Sequence, residues 1–143
     1  MTVLELDGST AERAYPAMKE LRPHLVDLAD FLDRLGRQWA EGYRLIGSTD
    51  ANGNVVAVAG FRVGNCLAFG HNIYVDDLAT LPAARRQGHA RALLTWIDEE
   101  AARLGCAAVH LDSNTYRHEA HRRYLTTGYD IVAFHFAKAA PAR

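Results

Sequence analysis

The stretch from Tyr74 to Ala90 constrains the fold of this chain more than any other segment. It begins as an apolar strand that carries two adjacent carboxylates, Asp76 and Asp77. Pro82 ends the strand, because proline cannot donate a hydrogen bond to a sheet ladder. The chain then turns through Arg85–Gly88 and opens a helix, so the sequence predicts a strand that leads through a short loop into a helix.

The helix after this loop is marked by an apolar face at helical spacing. The residues on that face are Ala90, Leu93, Leu94, Ile97, Ala101 and Leu104. Gly105 stands just past its end, where a left-handed cap is favoured. The first amides of a helix have no partner inside it and carry the positive end of its dipole. With Arg85, Arg86 and Gly88 they form a candidate pyrophosphate site, although an ordinary strand-to-helix junction shows the same residues.

Composition limits the classes of protein to which the chain can belong. Its 143 residues, 49% of them hydrophobic, suit one domain, residues 1–143, with an ordinary core. The net charge of -1 argues against a nucleic-acid partner, and no apolar run approaches the length of a membrane span. The first residues lack the pattern of a signal peptide, and the two cysteines are too few for a disulfide scaffold. We therefore expect a cytoplasmic protein with no nucleic-acid and no membrane partner.

Periodicity along the chain predicts the remaining elements. Strands are expected over Val3 to Leu6, Tyr43 to Ser48, Val55 to Val63, Cys66 to Leu81, Ala107 to Asp112 and Tyr129 to Phe136. Two helices are expected before Gly42 and a short one over Arg117 to Thr127. Turns are expected at Asn52-Gly53 and Gly64-Asn65, and a bulge near Gly70.

Together these elements predict an α/β fold. It has a single mixed, mostly antiparallel central sheet flanked by helices, in the order β-α-α-β-β-β-α-β-α-β. The strand-helix-strand unit around the long helix implies one parallel pair of strands with a right-handed crossover.

The loop residues also resemble a known family. Arg85-Arg86-Gln87-Gly88-His89-Ala90 is similar to the Arg/Gln-x-x-Gly-x-Gly/Ala signature of the GNAT superfamily of N-acetyltransferases. Leu78–Pro82 resembles that family's fourth strand, and the predicted element order is that of the acyl-CoA N-acyltransferase fold. The resemblance therefore covers nearly the whole chain.

This resemblance implies acetyl-CoA as co-substrate. In the family, loop amides bind the pyrophosphate of coenzyme A. The resemblance implies the same role for Arg85, Arg86, Gln87, Gly88, His89 and Ala90. The preceding strand of the family is bulged and splays away from the next parallel strand. Backbone groups near Leu78, Ala79 and Thr80 would then pair with pantetheine and polarise the thioester carbonyl. We expect the His89 side chain on the helix surface or beside the adenosine phosphate.

Tyr124 is the expected general acid. The segment Ala120–Tyr129 resembles the closing motif of the family, in which a tyrosine protonates the departing thiolate of coenzyme A, although Arg117 stands where the motif has asparagine. A phenol suits that role, because its pKa near 10 is close to that of a thiol and keeps it protonated at neutral pH. From the residues alone, a tyrosine ring packed on the core is the alternative.

The base is expected on the central strand, because acetyl transfer requires a neutral amine. Strand alternation places Asp76 on the same side as Leu78 and Thr80, and Asp77 on the other side. A carboxylate two residues before this leucine is a frequent base position in similar proteins, so Asp76 is preferred. The alternative is that the pair binds a cationic substrate or satisfies a loop.

These features predict direct acetyl transfer from acetyl-CoA to a primary amine of a small acceptor. Asp76, Asp77 and Glu41 favour a cationic acceptor. The alternatives are a non-catalytic acyl-CoA-binding module that acts as a sensor or partner, and an enzyme that carries the acyl group on Cys66. His118 and His121 lack the i, i+4 spacing of a zinc helix, so no metal is expected. A homodimer is one option that the resemblance leaves open.

Overall fold

The computed structural model describes all 143 residues. It contains five strands and four α-helices, with short 3-10 turns at Ala11–Ala14 and Pro82–Ala84. In chain order the elements are β1 (Thr2–Leu6), α1 (Tyr15–Leu21), α2 (Leu28–Ala40), β2 (Tyr43–Thr49), β3 (Val55–Cys66), β4 (Gly70–Thr80), α3 (His89–Leu104), β5 (Ala108–Leu111) and α4 (His118–Thr126). The chain forms two compact units, residues 1–111 and 112–143. None of the helices combines the length and apolar character needed to cross a bilayer.

The first unit is built on one mixed sheet. Its strands lie in the order β1-β2-β3-β4-β5; the first four are antiparallel to their neighbours, and β4 pairs with β5 in parallel. The long helix α3 connects the parallel pair, as a crossover between parallel strands requires. The predicted fold class is confirmed.

Helices cover the sheet on both faces. Leu45 belongs to a buried cluster with Met18 of α1 and Phe31 of α2. Its neighbour Ile46 points to the other face, because side chains alternate along a strand, and it is also fully buried. α3 packs against β2, β3 and β4, with Leu93 and Ile97 fully buried. The central strands are therefore apolar on both sides.

The hairpin between β3 and β4 differs from the prediction. The chain does not turn at Gly64-Asn65, because both residues pair with β4, Gly64 with Asn72 and Asn65 with His71. The turn falls at residues 67–69 instead. Gly70 closes the turn with a φ of 66° and is not a bulge. Pairing with the neighbouring strand here outweighs the local turn preference of a Gly-Asn dipeptide.

The second unit contains one helix, α4. The strand predicted over Tyr129 to Phe136 is absent. Its apolar side chains Ile131, Val132, Phe134 and Phe136 are all exposed. Alternation of side chains describes how a strand presents its two faces, but a strand forms only where a neighbouring backbone completes its hydrogen bonds.

Candidate active site

The loop between β4 and α3 contains two residues with left-handed backbone conformation. Arg85 is extended, Arg86 has a φ of 63° and Gly88 has a φ of 90°. Arg86 is the only residue other than glycine with a positive φ, and such a conformation costs a side-chain-bearing residue about 1–2 kcal/mol. Anion-binding concavities form where successive amides point toward one place, as they do in turns and in right-handed–left-handed pairs of residues. The strain at Arg86 is the kind of outlier that clusters at ligand sites.

Two side-chain contacts tie this loop to the preceding 3-10 turn and to α1. Gln87 Nε2 donates to the Ala83 carbonyl over 3.1 Å, and Arg85 lies 3.5 Å from a Glu20 carboxylate oxygen. Gly88 caps α3 without a side-chain hydrogen bond. The first amides of α3 therefore have no side-chain acceptor from their own cap, the situation in which a helix N-terminus takes an anion.

His89 lies inside the protein, so the expectation of a surface side chain is wrong. It is 3% exposed, and its Nδ1 lies 2.8 Å from Oγ of the fully buried Ser48 on β2. Ala90 beside it is also buried. The imidazole occupies the sheet-facing side of the first helical turn because Ser48 satisfies its nitrogen there. What His89 can offer a ligand is therefore its backbone amide.

The parallel strands β4 and β5 separate halfway along β4. Their pairing ends at Val75 and Leu111, while β4 continues through Thr80 with β3 as its neighbour. Leu78 and Ala79 are buried and Thr80 is half-buried. Backbone groups on the open edge of this segment have no strand partner, and unpaired edge groups are available to pair with an extended ligand.

A bulge at Asp76 changes which way the two carboxylates face. Gly60 pairs with Asp77 and Phe61 pairs with Val75, so Asp76 is the extra residue in β4. A bulge interrupts alternation, and both carboxylates consequently line one cleft of about 370 Å³. The prediction that they point to opposite sides is wrong, as is the prediction that Asp76 shares a side with Leu78, which pairs with Ala59 on the other face.

The cleft is lined by charged and polar side chains from the first two helices and the central strands. They are Arg22, Gln38, Glu41, Tyr43, Arg62, Asp76 and Asp77. Arg22 and Arg62 were not singled out by the sequence. They become visible only once the strand register and the end of α1 bring them beside the Asp76–Asp77 pair.

Each carboxylate has its own set of partners. Both oxygens of Asp76 accept from the guanidinium of Arg62, over 2.7 and 2.8 Å. Asp77 accepts from the Tyr43 hydroxyl over 2.8 Å and from Nε of Arg22 over 2.9 Å. Arg22 also donates to the Asp76 carbonyl over 3.0 Å, which supplies a partner for a carbonyl at the bulge. Burial and the charge of Asp77 hold the pKa of Tyr43 well above its usual value, so Tyr43 is the donor.

Tyr124 lies on α4 in the second unit. It is 8% exposed, and its ring meets that of Tyr129 edge to face at 5.8 Å. Burial raises the pKa of Tyr124, while Arg117 and Arg123 partly offset that rise. The phenol is therefore protonated at neutral pH, as a proton donor must be.

The remaining candidates are placed as follows. Cys66 is exposed at the end of β3 and Cys106 is half-buried, and both are free thiols. His118 and His121 lie edge to face on α4. No group of three or more His, Cys, Asp or Glu side chains is arranged to hold a metal ion.

A mixed sheet whose parallel strands separate next to an amide-rich loop defines the class of the acyl-CoA N-acyltransferases. Comparison with known proteins identifies the family: residues 11–129 match the acetyltransferase (GNAT) family, to which the chain belongs. It is 32% identical to the aminoalkylphosphonate N-acetyltransferase of Salmonella typhimurium, over 97% of this chain and 93% of that one. The protein is accordingly an acetyltransferase that uses acetyl-CoA.

Solved structures share the fold. The ribosomal-protein-alanine N-acetyltransferase of Brucella melitensis superposes with a TM-score of 0.84 at 14% identity, covering 98% of this chain and all of that one. An aminoglycoside N-acetyltransferase in complex with coenzyme A superposes with a TM-score of 0.82 at 14% identity, covering 99% and 95%. At these identities the likeness concerns the fold.

Proposed function

We propose that the protein transfers the acetyl group of acetyl-CoA directly to the primary amine of a small acceptor bound in the Asp76–Asp77 cleft. The observation that carries this proposal is the position of the cleft. It opens at the bulge in β4, where that strand leaves β5. The thioester would pair with the open edge of β4 beyond the bulge, and the amine would lie in the cleft. The two reacting groups would therefore meet at β4.

The cofactor side of the proposed site is made of backbone groups. The amides of Arg85, Arg86, Gln87, Gly88, His89 and Ala90 take the pyrophosphate. Those near Leu78, Ala79 and Thr80 pair with pantetheine and face the thioester carbonyl. Fixed amide dipoles of this kind stabilise the negative charge that develops on the carbonyl oxygen in the tetrahedral intermediate.

The proposed reaction moves three protons. The acceptor ammonium loses one to Asp76, directly or through water, and the neutral amine attacks the acetyl carbonyl. A carbon–nitrogen bond forms, the nitrogen of the tetrahedral intermediate loses a second proton to water, and the carbon–sulfur bond then breaks. Tyr124, kept protonated by its raised pKa, donates the third proton to the leaving thiolate and regains one from solvent.

Two kinds of acceptor fit the cleft. Its three carboxylates, those of Glu41, Asp76 and Asp77, exceed its two guanidinium groups, which favours a small cationic amine. The relative from Salmonella typhimurium is an aminoalkylphosphonate N-acetyltransferase, which favours an amine that also carries an acidic group. We propose a cytoplasmic location for either reaction, because both cysteines are free thiols and a reducing compartment keeps them so.

Binding and turnover together test this proposal. Acetyl-CoA at about a hundred times its dissociation constant should stabilise the fold by roughly 2.7 kcal/mol and raise the melting temperature. Incubation with acetyl-CoA and a panel of small amines should then yield an N-acetylated product by mass spectrometry. A rise in melting temperature without product from any amine would support an acyl-CoA-binding module and contradict the transfer.

A further inference from the structure

The Asp76 carboxylate, which is the base of the proposed reaction, is engaged in an ion pair with Arg62. Two hydrogen bonds from one guanidinium engage both Asp76 oxygens. An ammonium group that reaches Asp76 in this arrangement has to share the carboxylate with the guanidinium of Arg62. A substrate whose own acidic group draws Arg62 away has the carboxylate for its amine alone.

Arg62 is the cation of the cleft that can be exchanged. Its side chain is 54% exposed, and its guanidinium donates to Asp76. Because more than half of the Arg62 side chain is open to solvent, a second anion can reach its guanidinium. Arg22 differs, because it joins Asp77 to the backbone carbonyl of Asp76 and so holds the bulge together.

The charges of Arg62 and Asp76 indicate which groups a ligand needs in order to replace their ion pair. A molecule that satisfies both partners at once must present negative oxygens to Arg62 and an ammonium group to Asp76. The planar fork of a guanidinium binds a carboxylate or a phosphonate through two parallel hydrogen bonds. A molecule with ammonium groups alone would have to share Asp76 with the like charge of Arg62.

On the basis of the proposed function, we infer that the acceptor is a small zwitterionic amine whose acidic group takes Arg62 from Asp76. The exchange frees the Asp76 carboxylate at the moment the amine arrives beside it. Arg62 thus determines specificity, and the acidic group of the substrate makes the base available. Amines without an acidic group leave the Arg62–Asp76 pair intact and are poor acceptors.

Matched acceptors test this inference. 2-Aminoethylphosphonate, β-alanine and propylamine share one amine on a short chain and differ in carrying a phosphonate, a carboxylate or a methyl group. We expect kcat/KM of the wild-type protein to be highest for an acid-bearing amine. In Arg62→Met the ratio of kcat/KM for that amine over propylamine should fall about tenfold to a hundredfold, as expected when a charged hydrogen bond is lost. Arg62→Lys keeps the charge but not the two parallel N–H donors. Its ratio of kcat/KM values should lie between those of the wild-type protein and Arg62→Met.

The control is Arg37→Met. Arg37 pairs with Asp33 on the exposed side of α2, outside the cleft, so this variant should keep the wild-type ratio. A melting-temperature rise with acetyl-CoA, measured for each variant, establishes that it is folded. A wild-type preference for propylamine, or an equal loss for all three acceptors in Arg62→Met, would overturn the inference.

Direct binding separates this inference from the proposed function. Calorimetry should show 2-aminoethylphosphonate or β-alanine binding to the wild-type protein, with binding weakened in Arg62→Met. If those amines bind in this way but are never acetylated, the proposed transfer fails and the recognition by Arg62 stands. If acetylation occurs and neither binding nor turnover changes in Arg62→Met, the inference fails and the proposed transfer stands.

Discussion

The Tyr43 hydroxyl donates a 2.8 Å hydrogen bond to Oδ2 of Asp77 and reaches it across Gly60. Gly60 is the β3 residue opposite Asp77, and a Cβ there would overlap the Tyr43 hydroxyl and ring. Three neighbouring strands, β2, β3 and β4, therefore meet at the bulge. The bulge sets the direction of Asp76, so the shape of the cleft depends on a glycine that does not line it.

Gly60→Ala should destabilise the protein by about 3 kcal/mol, because overpacking a closed site forces side chains and backbone to move. Denaturant unfolding measures the change. Gly36→Ala is the matched control: nothing lies within 4 Å of that Cβ, and alanine should stabilise the interior of α2 by about 0.5–1 kcal/mol. Equal stability of the two variants would contradict the packing described for Gly60.

Tyr43→Phe removes a hydroxyl from a 4%-exposed side chain and leaves Asp77 with Arg22 alone. We expect a loss of about 1–3 kcal/mol in the free energy of unfolding, as for hydrogen bonds to charged groups. A double-mutant cycle with Asp77→Asn should show coupling between the two sites. Tyr116→Phe, at an exposed tyrosine, should change stability by less than about 0.5 kcal/mol. Additive effects of Tyr43→Phe and Asp77→Asn would mean that the hydrogen bond contributes nothing.

Stability should fall in acid because of Glu100. Hydrogen bonds from Arg103 and Arg44 lower the pKa of this buried carboxyl from 4.5 to about 2. A depressed folded-state pKa gives stability that is fully present above the unfolded value and is lost as pH falls from about 4.5 toward 2. Unfolding free energies measured across this range should fall less steeply for Glu100→Gln than for wild type. Identical slopes would show that Glu100 does not couple folding to protonation.

Tyr124→Phe should lower kcat while acetyl-CoA binding is retained. A general acid contributes about a hundredfold to ten-thousandfold. Its raised pKa places the loss of the proton above the ordinary phenol range, so wild-type activity that depends on this proton falls only at strongly alkaline pH. Steady-state kinetics and calorimetric titration with acetyl-CoA separate the two effects. An unchanged kcat in Tyr124→Phe would remove the residue from the mechanism.

Sequence periodicity predicts α3 and its ends well, because the signals are local. Apolar residues at helical spacing mark the face, and Gly88 and Gly105 both adopt the left-handed conformation at its two ends. The Arg85–Ala90 signature leads into the first turn of this helix. The loop and α3 could be predicted because their signals come from residues a few positions apart, which stay neighbours in the fold.

The acceptor cleft depends on contacts that are distant in sequence. The direction of Asp76 follows from a bulge opposite Gly60, and its partner Arg62 comes from the preceding strand. Arg22 reaches the same bulge from the end of α1. Alternation along β4 alone therefore misplaces the carboxylates, and nothing local identifies the two arginines.

The measurement that tests the central claim most directly is product formation from the amine panel by wild type and Asp76→Asn. Acetyl-CoA and each amine are incubated with either protein, and N-acetylated product is followed by mass spectrometry. We predict an N-acetylated product with wild type and a large loss with Asp76→Asn, while both variants still melt at a higher temperature with acetyl-CoA. A cofactor-dependent rise in melting temperature with no product from any amine, or equal rates for the two proteins, would contradict the account.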